Sequence, residues 1–85
     1  MNINIKTAFK PGDRIYIPIL FSGEWYVSKI PQEIIAIDVK VSKKNQIDVS
    51  YTVVDDIGLV STWSETSCFS NYQRSLQWCE EQNNK

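Results

Sequence analysis

The stretch FKPGDRIYIPILF, residues 9–21, decides the fold because it joins a turn signal directly to an alternating strand. Gly12 tolerates turn conformations that other residues resist, and the proline before it fixes its own backbone angle. Apolar residues then recur at every second position, which indicates a strand with one buried face. The residues predicted to face the core are Ile15, Ile17, Ile19 and Phe21, and those predicted to face outward are Arg14, Tyr16, Pro18 and Leu20. Because Pro18 has no N–H to donate, this strand is predicted to lie at a sheet edge or to contain a bulge.

Further extended segments predict a small antiparallel sheet. The alternating runs 35–41 and 47–53 are joined by the polar loop KKNQ, residues 43–46, which is typical of a hairpin. In the first of these runs, the residues predicted to share the buried face are Ile35, Ile37, Val39 and Val41. A turn at DDIG, residues 55–58, leads to a short strand over 59–63, and WYVSKI, residues 25–30, is another extended run. We therefore predict a mainly β fold whose four or five strands curl around one core.

The apolar period changes near the C-terminus and predicts a helix over 70–82. Ser70 with Gln73 three places later is a capping-box arrangement. Tyr72, Leu76 and Cys79 then fall on one face of a helix, which would cover an opening of the curled sheet. The sequence thus predicts a single domain over 1–85, with an N-terminal extension at 1–8, a β-barrel at 9–63 and this helix.

Composition narrows the classes of protein that this chain fits. Its 85 residues are 42% hydrophobic and 22% charged, which is ordinary for one folded domain. The net charge is −1, far from the basic balance of a dedicated nucleic-acid binder. No apolar run is long enough for a signal peptide or a membrane span, so we predict a cytoplasmic protein with no membrane partner.

The residues that usually carry catalysis or hold metals are scarce. There is no histidine, the commonest general base and metal ligand. Cys68 and Cys79 do not have zinc-site spacing; a helix between them would hold them roughly 13 Å apart, beyond the ~7 Å that a disulfide allows. Asp55 and Asp56 precede Gly58 and fit a turn. We predict no enzyme activity, no catalytic residue, no metal, no cofactor and no disulfide.

Several of these segments resemble small SH3-like barrels, a class that typically begins with Gly-Asp followed by an alternating strand. The matching segments are FKPGDRIYIPI (9–19), PQEIIAIDVKV (31–41) and QIDVSYTVVDDIGLVSTW (46–63). The ending CFSNYQRSLQWCEEQ, residues 68–82, resembles the closing helix of small uncharacterised proteins from Gram-positive bacteria and their phages. This resemblance implies a domain that binds peptides, proteins or nucleic acid, and a role in a mobile element, including inhibition of a host defence system. The chain departs from peptide-binding SH3 domains because it lacks their acidic loop and ordered aromatic set.

Aromatic residues are numerous, at three Trp, four Tyr and three Phe, and they suggest a contact surface. Alternation turns Tyr16 outward and requires that either Trp25 or Tyr26 face outward as well. Clustered surface aromatics are typical of a protein interface, although each ring could equally cover the edge of a small core. We predict a non-enzymatic protein-interaction module, for which an inhibitor of a host protein is one concrete form. Its predicted contact residues are Tyr16, Trp25, Tyr26 and Trp63.

Two alternative functions stay open at this point. Lys40, Lys43 and Lys44 gather at the tip of the 35–53 hairpin, where they could meet phosphates while a tyrosine stacks on a base. The acidic Asp38 and Asp48 on the same hairpin work against an anion-binding surface. The other alternative is a structural subunit that assembles with itself through the strand edge at Pro18.

Overall fold

The computed structural model describes residues 6–85, in which a mainly β chain ends in one helix. The predicted extension at 1–8 therefore lies largely outside the described residues. The strands are β1 (Arg14–Ile15), β2 (Ile19–Phe21), β3 (Glu24–Tyr26), β4 (Gln32–Val41), β5 (Ile47–Val54) and β6 (Val60–Ser64), followed by a 3-10 turn (Glu65–Ser67) and the helix α1 (Tyr72–Asn83). The predicted class, mainly β with a C-terminal helix, is confirmed.

The strands form a four-stranded antiparallel sheet in the order β1-β4-β5-β6, curled into a half-barrel, and a separate hairpin of β2 and β3. The predicted β4–β5 hairpin is confirmed, with a register that runs from Val41 opposite Ile47 to Glu33 opposite Val54. In the β2–β3 turn, Ser22 and Gly23 have φ of 51° and 82°. Positive φ at both central residues matches the twist of the two flanking strands.

Pro18 divides the predicted first strand into two elements. β1 ends at Ile15, Tyr16 makes an isolated bridge to Phe69, and Pro18 is buried. Ile15 and Ile17 are buried as predicted. The prediction is wrong for the second half, because Ile19 and Phe21 are exposed. Pairing with β4 ends at Ile15, and Pro18, which has no N–H to donate to a ladder, separates the Tyr16 bridge from the β2–β3 hairpin. Ile19 and Phe21 therefore belong to the hairpin and not to the main sheet.

A β-bulge in β4 reverses part of the predicted alternation. The register with β5 shifts between Ile34 and Ala36, so Ile35 is the extra residue. Ile34 is fully buried while Ile35 is 47% exposed, so the predicted inward position of Ile35 is wrong. After the bulge the predicted alternation is correct, because Ile37 and Val39 pack against the core. One extra residue in a strand shifts the alternation of its side chains, so positions before the bulge face the opposite side from the one that an unbroken alternation predicts.

The core is small and centred on Tyr51. Its buried members are Ile15, Ile17, Ile34, Val49, Tyr51 and Val53. The Tyr51 hydroxyl donates a hydrogen bond to Glu65 and accepts one from the Phe9 N–H at 3.1 Å. The Phe9 ring meets the Tyr51 ring edge-on at 5.5 Å, and Glu65 also accepts the Ala8 N–H at 3.0 Å. These contacts fasten residues 8 and 9 to the sheet.

Two ionisable groups near this core have raised pKa values. Burial, and then the hydrogen bond to Glu65, raises the pKa of Tyr51 above its ordinary value. Burial, with the nearby charge of Glu65, raises the pKa of the Cys68 thiol from 9.0 to about 11. Both groups are therefore held in their neutral forms, and Cys68 is not an activated nucleophile.

Helix α1 begins at Tyr72, because Asn71 and not Ser70 caps it. The Asn71 side chain accepts the Arg74 N–H at 3.2 Å, which satisfies one of the free donors of the first turn. Ser75 and Cys79 are buried, and the helix packs chiefly against β3. Cys68 and Cys79 are both free thiols. No helix within residues 6–85 is both long and apolar enough to cross a membrane.

Candidate functional site: an aromatic cleft beside the β2–β3 hairpin

A cleft of about 190 Å³ opens between β3, helix α1 and the segment that follows β6. We call it the aromatic cleft, and it is lined by Pro18, Trp25, Thr66, Ser67, Phe69 and Trp78. Its walls are apolar apart from the groups of Thr66 and Ser67. None of the described side chains that line it is charged, so the cleft offers shape and aromatic surface rather than a site for an ion.

Three rings give the cleft its shape. The Trp25 and Trp78 rings meet edge to face, with centroids 4.7 Å apart and planes at 79°. Phe69 lies 6.0 Å from Trp78 at a tilt of 50°. Such offset and edge-on pairs are favourable beyond the area they bury. All three side chains are half-buried, so each ring is held by packing while part of it stays open to solvent.

Asn83 joins the end of helix α1 to the backbone of β3. Its Oδ1 accepts the Trp25 N–H at 2.7 Å, and its Nδ2 donates to the Trp25 carbonyl oxygen at 3.0 Å. The side-chain amide thus satisfies both backbone groups of Trp25, as a neighbouring strand would. This contact fixes the distance between the helix and the hairpin, and so the width of the aromatic cleft.

Replacing Asn83 with alanine is expected to lower the free energy of unfolding by about 1 kcal/mol, because both hydrogen bonds are lost at a position that water can reach. Denaturant unfolding followed by tryptophan fluorescence measures this change. The matched control is Asn84→Ala, whose side chain makes no hydrogen bond within the described residues, and which should change stability by less than about 0.5 kcal/mol. Equal effects of the two variants would contradict the role given to Asn83.

The β2–β3 hairpin extends the cleft with exposed apolar side chains. Leu20 lies opposite Trp25 and is 58% exposed. Since paired residues project from the same face, Leu20 continues the apolar wall beyond Trp25. The opposite face carries Ile19, Phe21 and Tyr26, all exposed. Both faces of this short hairpin therefore expose large apolar side chains.

The structure brings two of the four predicted contact aromatics to this hairpin. Trp25 lines the cleft, and Tyr26 is 50% exposed on the opposite face of the hairpin. The Tyr26 hydroxyl donates to Glu24 at 3.1 Å, and this hydrogen bond raises the pKa of Tyr26.

The other two predicted aromatics are placed differently. Tyr16 is half-buried and packs against Tyr72 with ring centroids 5.7 Å apart, behind the Phe69 wall of the cleft. Trp63 lies opposite Tyr51, packs against the core, and donates from Nε1 to Ser61 at 2.8 Å. The prediction that Tyr16 faces outward is therefore only partly right, and Trp63 does not join the cleft.

The lysines of the nucleic-acid alternative lie elsewhere. Lys40, Lys43 and Lys44 are all exposed at the β4–β5 end, and none of them lines the aromatic cleft. Lys40 lies directly opposite Asp48 in the register of the sheet. An opposing carboxylate offsets part of the positive potential that a phosphate would meet.

Of the two adjacent carboxylates Asp55 and Asp56, Asp55 organises the turn that follows β5. Asp55 accepts the Ile57 N–H at 3.0 Å and the Leu59 N–H at 2.8 Å through the same oxygen, which organises the β5–β6 turn as predicted. A second depression of about 170 Å³ lies nearby, lined by Arg14, Ile30, Pro31, Glu33, Val54, Asp55 and Asp56. Within residues 6–85, no three His, Cys, Asp or Glu side chains are grouped as metal ligands would be.

Comparison of the chain with protein-family models, with curated proteins and with solved structures finds no match. The resemblance to SH3-like and phage-type proteins therefore stays a prediction.

Proposed function

We propose that this chain is a non-enzymatic protein-interaction module that receives an apolar side chain of a partner protein in the aromatic cleft. The observation that carries the proposal is the continuous apolar surface from exposed Leu20 to half-buried Trp25 and Trp78. Rigid aromatic rings lose little conformational freedom on binding and dominate the energetics of protein interfaces. Here they are held in place by packing and by Asn83 before any partner arrives.

The size and chemistry of the cleft favour a protein partner over a small molecule. Its volume of about 190 Å³ is below the ~300–1,000 Å³ of usual small-molecule sites. One or two apolar side chains would fill it, while the β2–β3 hairpin supplies surrounding contact area. Thr66 and Ser67 place polar groups at the wall, where a partner backbone could hydrogen-bond.

A finer proposal extends the resemblance of the sequence. In it the fold is an SH3-like barrel of phage or mobile-element origin, and the module inhibits a host protein by occupying one of its surfaces. The half-barrel sheet and the C-terminal helix are compatible with this view. A small inhibitor needs no catalytic group, only a preformed complementary surface.

The test compares proteins retained from a bacterial lysate by the wild-type chain and by two matched variants. Leu20→Asp places a charge on the hairpin wall of the cleft, and Leu59→Asp places the same charge at a similarly exposed leucine in the β5–β6 turn. We expect a stoichiometric protein that survives nuclease treatment, is retained by Leu59→Asp, and is lost with Leu20→Asp. With that protein purified, Leu20→Asp should weaken binding by at least about tenfold, as for a central interface contact. Equal retention by both variants would refute the proposal.

Nucleic-acid binding through Lys40, Lys43 and Lys44 is the competing outcome of the same experiment. Retained material that disappears on nuclease treatment, and is lost with Lys43→Glu/Lys44→Glu, would favour it. Affinity should then fall steeply with salt, because each phosphate contact releases counterions.

A further inference from the structure

One edge of the main sheet is open for pairing along most of β4. β1 pairs with β4 only through Arg14 opposite Glu33 and Ile15 opposite Gln32, while β5 covers the other side of β4 along its length. From Ala36 to Val41, no strand among the described residues 6–85 occupies the free side of β4. An unpaired edge of this length is a template for another strand, and proteins usually cover or interrupt it.

The hydrogen-bonding groups on this edge can be assigned. The Ser42 N–H donates to the Gln46 carbonyl oxygen at 2.9 Å, on the β5 side. Because successive residues of a strand point their backbone groups to opposite sides, Asp38 and Lys40 also bond toward β5. The N–H and C=O groups on the free side therefore belong to Ile37, Val39 and Val41.

The charged side chains of this edge are complementary to those of the same edge in a second copy of the chain. Asp38 and Lys40 flank Val39 on the exposed outer face. If two copies pair antiparallel about a two-fold axis at Val39, each Asp38 lies opposite Lys40 of the second copy. These are non-hydrogen-bonded positions, where Cα atoms approach to ~4.5 Å and side chains are closest. An axis at Asp38 or at Lys40 would instead oppose like charges, which is destabilising.

The inner face is complementary as well. The same register places Val39 opposite Val39 and Ile37 opposite Val41 of the second copy. Val41 and Ile47 are 45% and 43% exposed at this end of the sheet, and Ile37 and Val39 are only half-buried. Pairing would therefore extend the apolar inner layer across the two copies and remove these side chains from water.

We propose that β4 pairs with β4 of a second copy of this chain about a two-fold axis at Val39, with Asp38 opposite Lys40 in both directions. Closed two-fold pairing uses the same edge on both copies and so ends at a dimer. The edge at Pro18, the sequence-based candidate for self-assembly, does not serve, because Pro18 is buried. Within the described residues β6 is the other free edge of the sheet, but it is shorter and has no charge pair to set a register.

Sedimentation equilibrium at concentrations up to about 1 mM tests the dimer. We expect the wild type to dimerise with increasing concentration, as suits a contact smaller than a standard interface. Asp38→Lys places a second lysine opposite Lys40 of the other copy and should weaken the dimer by at least about tenfold. The exchange Asp38→Lys/Lys40→Asp restores opposite charges and should recover most of that loss, although Asp48 now faces a carboxylate within each chain.

Two proline variants separate the β4 edge from the β6 edge. Val39→Pro removes an N–H that points to the free side of β4, and Thr62→Pro is the matched change on the free side of β6. Circular dichroism should show that both variants keep the fold, and only Val39→Pro should be monomeric. A wild type that stays monomeric, a dimer unaffected by Asp38→Lys, or a dimer lost with Thr62→Pro but kept with Val39→Pro would overturn the proposal. The Leu20→Asp variant should still dimerise, so failure of the binding proposal and failure of this one are distinguishable.

Discussion

Replacing Ile34 with alanine is expected to lower the free energy of unfolding by about 3 kcal/mol, whereas the same change at Ile35 should cost less than about 1 kcal/mol. Ile34 is fully buried in the core and Ile35 is 47% exposed, although the two residues are adjacent and chemically identical. Truncating Ile34 leaves a cavity among packed side chains. Truncating Ile35 removes atoms that water already reaches. The difference is therefore a direct measure of the bulge in β4.

Urea unfolding followed by tryptophan fluorescence gives the free energy of unfolding of each variant. Each variant serves as the control for the other. The slope of the free energy against denaturant should be unchanged in both, since neither variant alters the surface exposed on unfolding by much. A larger loss for Ile35→Ala than for Ile34→Ala would mean that β4 continues the unbroken alternation and has no bulge.

This pair of residues also shows where sequence-based prediction of the fold stops. The alternation in 35–41 and 47–53 correctly predicts the β4–β5 hairpin, because a period of two is typical of strands with one buried face. Ile34 and Ile35 are consecutive, however, so the sequence alone allows either of them to be the buried residue. The pairing partners decide between them: the Ile34 N–H and C=O are taken by Asp13 and Gly12, and its side chain meets the core across from Val53. Such long-range register leaves no signature in the local pattern.

Pro18 gives a second case of the same kind. The sequence predicts one strand that lies at a sheet edge or contains a bulge at this proline, whereas the structure has two separate strands, β1 and β2. The direction of the chain afterwards depends on the Tyr16–Phe69 bridge and on the docking of helix α1 against β3, which involve residues far away in sequence. Ile19 and Phe21 are exposed for this reason, despite their favourable spacing.

The aromatic cleft was predictable only in part. An outward position for one of Trp25 and Tyr26 follows from alternation, because neighbouring residues of a strand face opposite sides. The contribution of Trp78 and Phe69 does not follow, since the cleft forms only when α1 docks on β3. The contact that fixes this docking joins Trp25 to Asn83, which are 58 positions apart. A helix pattern specifies which face is apolar but not which strand that face meets.

Replacing Tyr51 with phenylalanine is expected to lower the free energy of unfolding by about 2 kcal/mol, even though the ring and its packing are kept. The hydroxyl donates to Glu65 and accepts the Phe9 N–H, so its removal leaves a donor and a carboxylate short of a partner. Thermal or urea unfolding measures the loss. Tyr26→Phe is the matched control, because its hydroxyl bonds to Glu24 at a 50% exposed position where water can replace it. We expect that control to leave the stability nearly unchanged.

The pH dependence of the same variant separates the hydroxyl from other effects of the substitution. The pKa of Tyr51 is raised from 10.0 in the fold, so above pH 10 the unfolded chain loses this proton before the native chain does. Stability is therefore expected to fall as the pH rises through that range, in addition to a fall between pH 9 and about pH 11 from Cys68. Tyr51→Phe should keep the loss of stability that is due to Cys68 and should no longer show the loss that is due to Tyr51. Its stability should therefore decline less steeply with rising pH than that of the wild type. An unchanged decline would show that the buried hydroxyl does not contribute to the alkaline sensitivity of the fold.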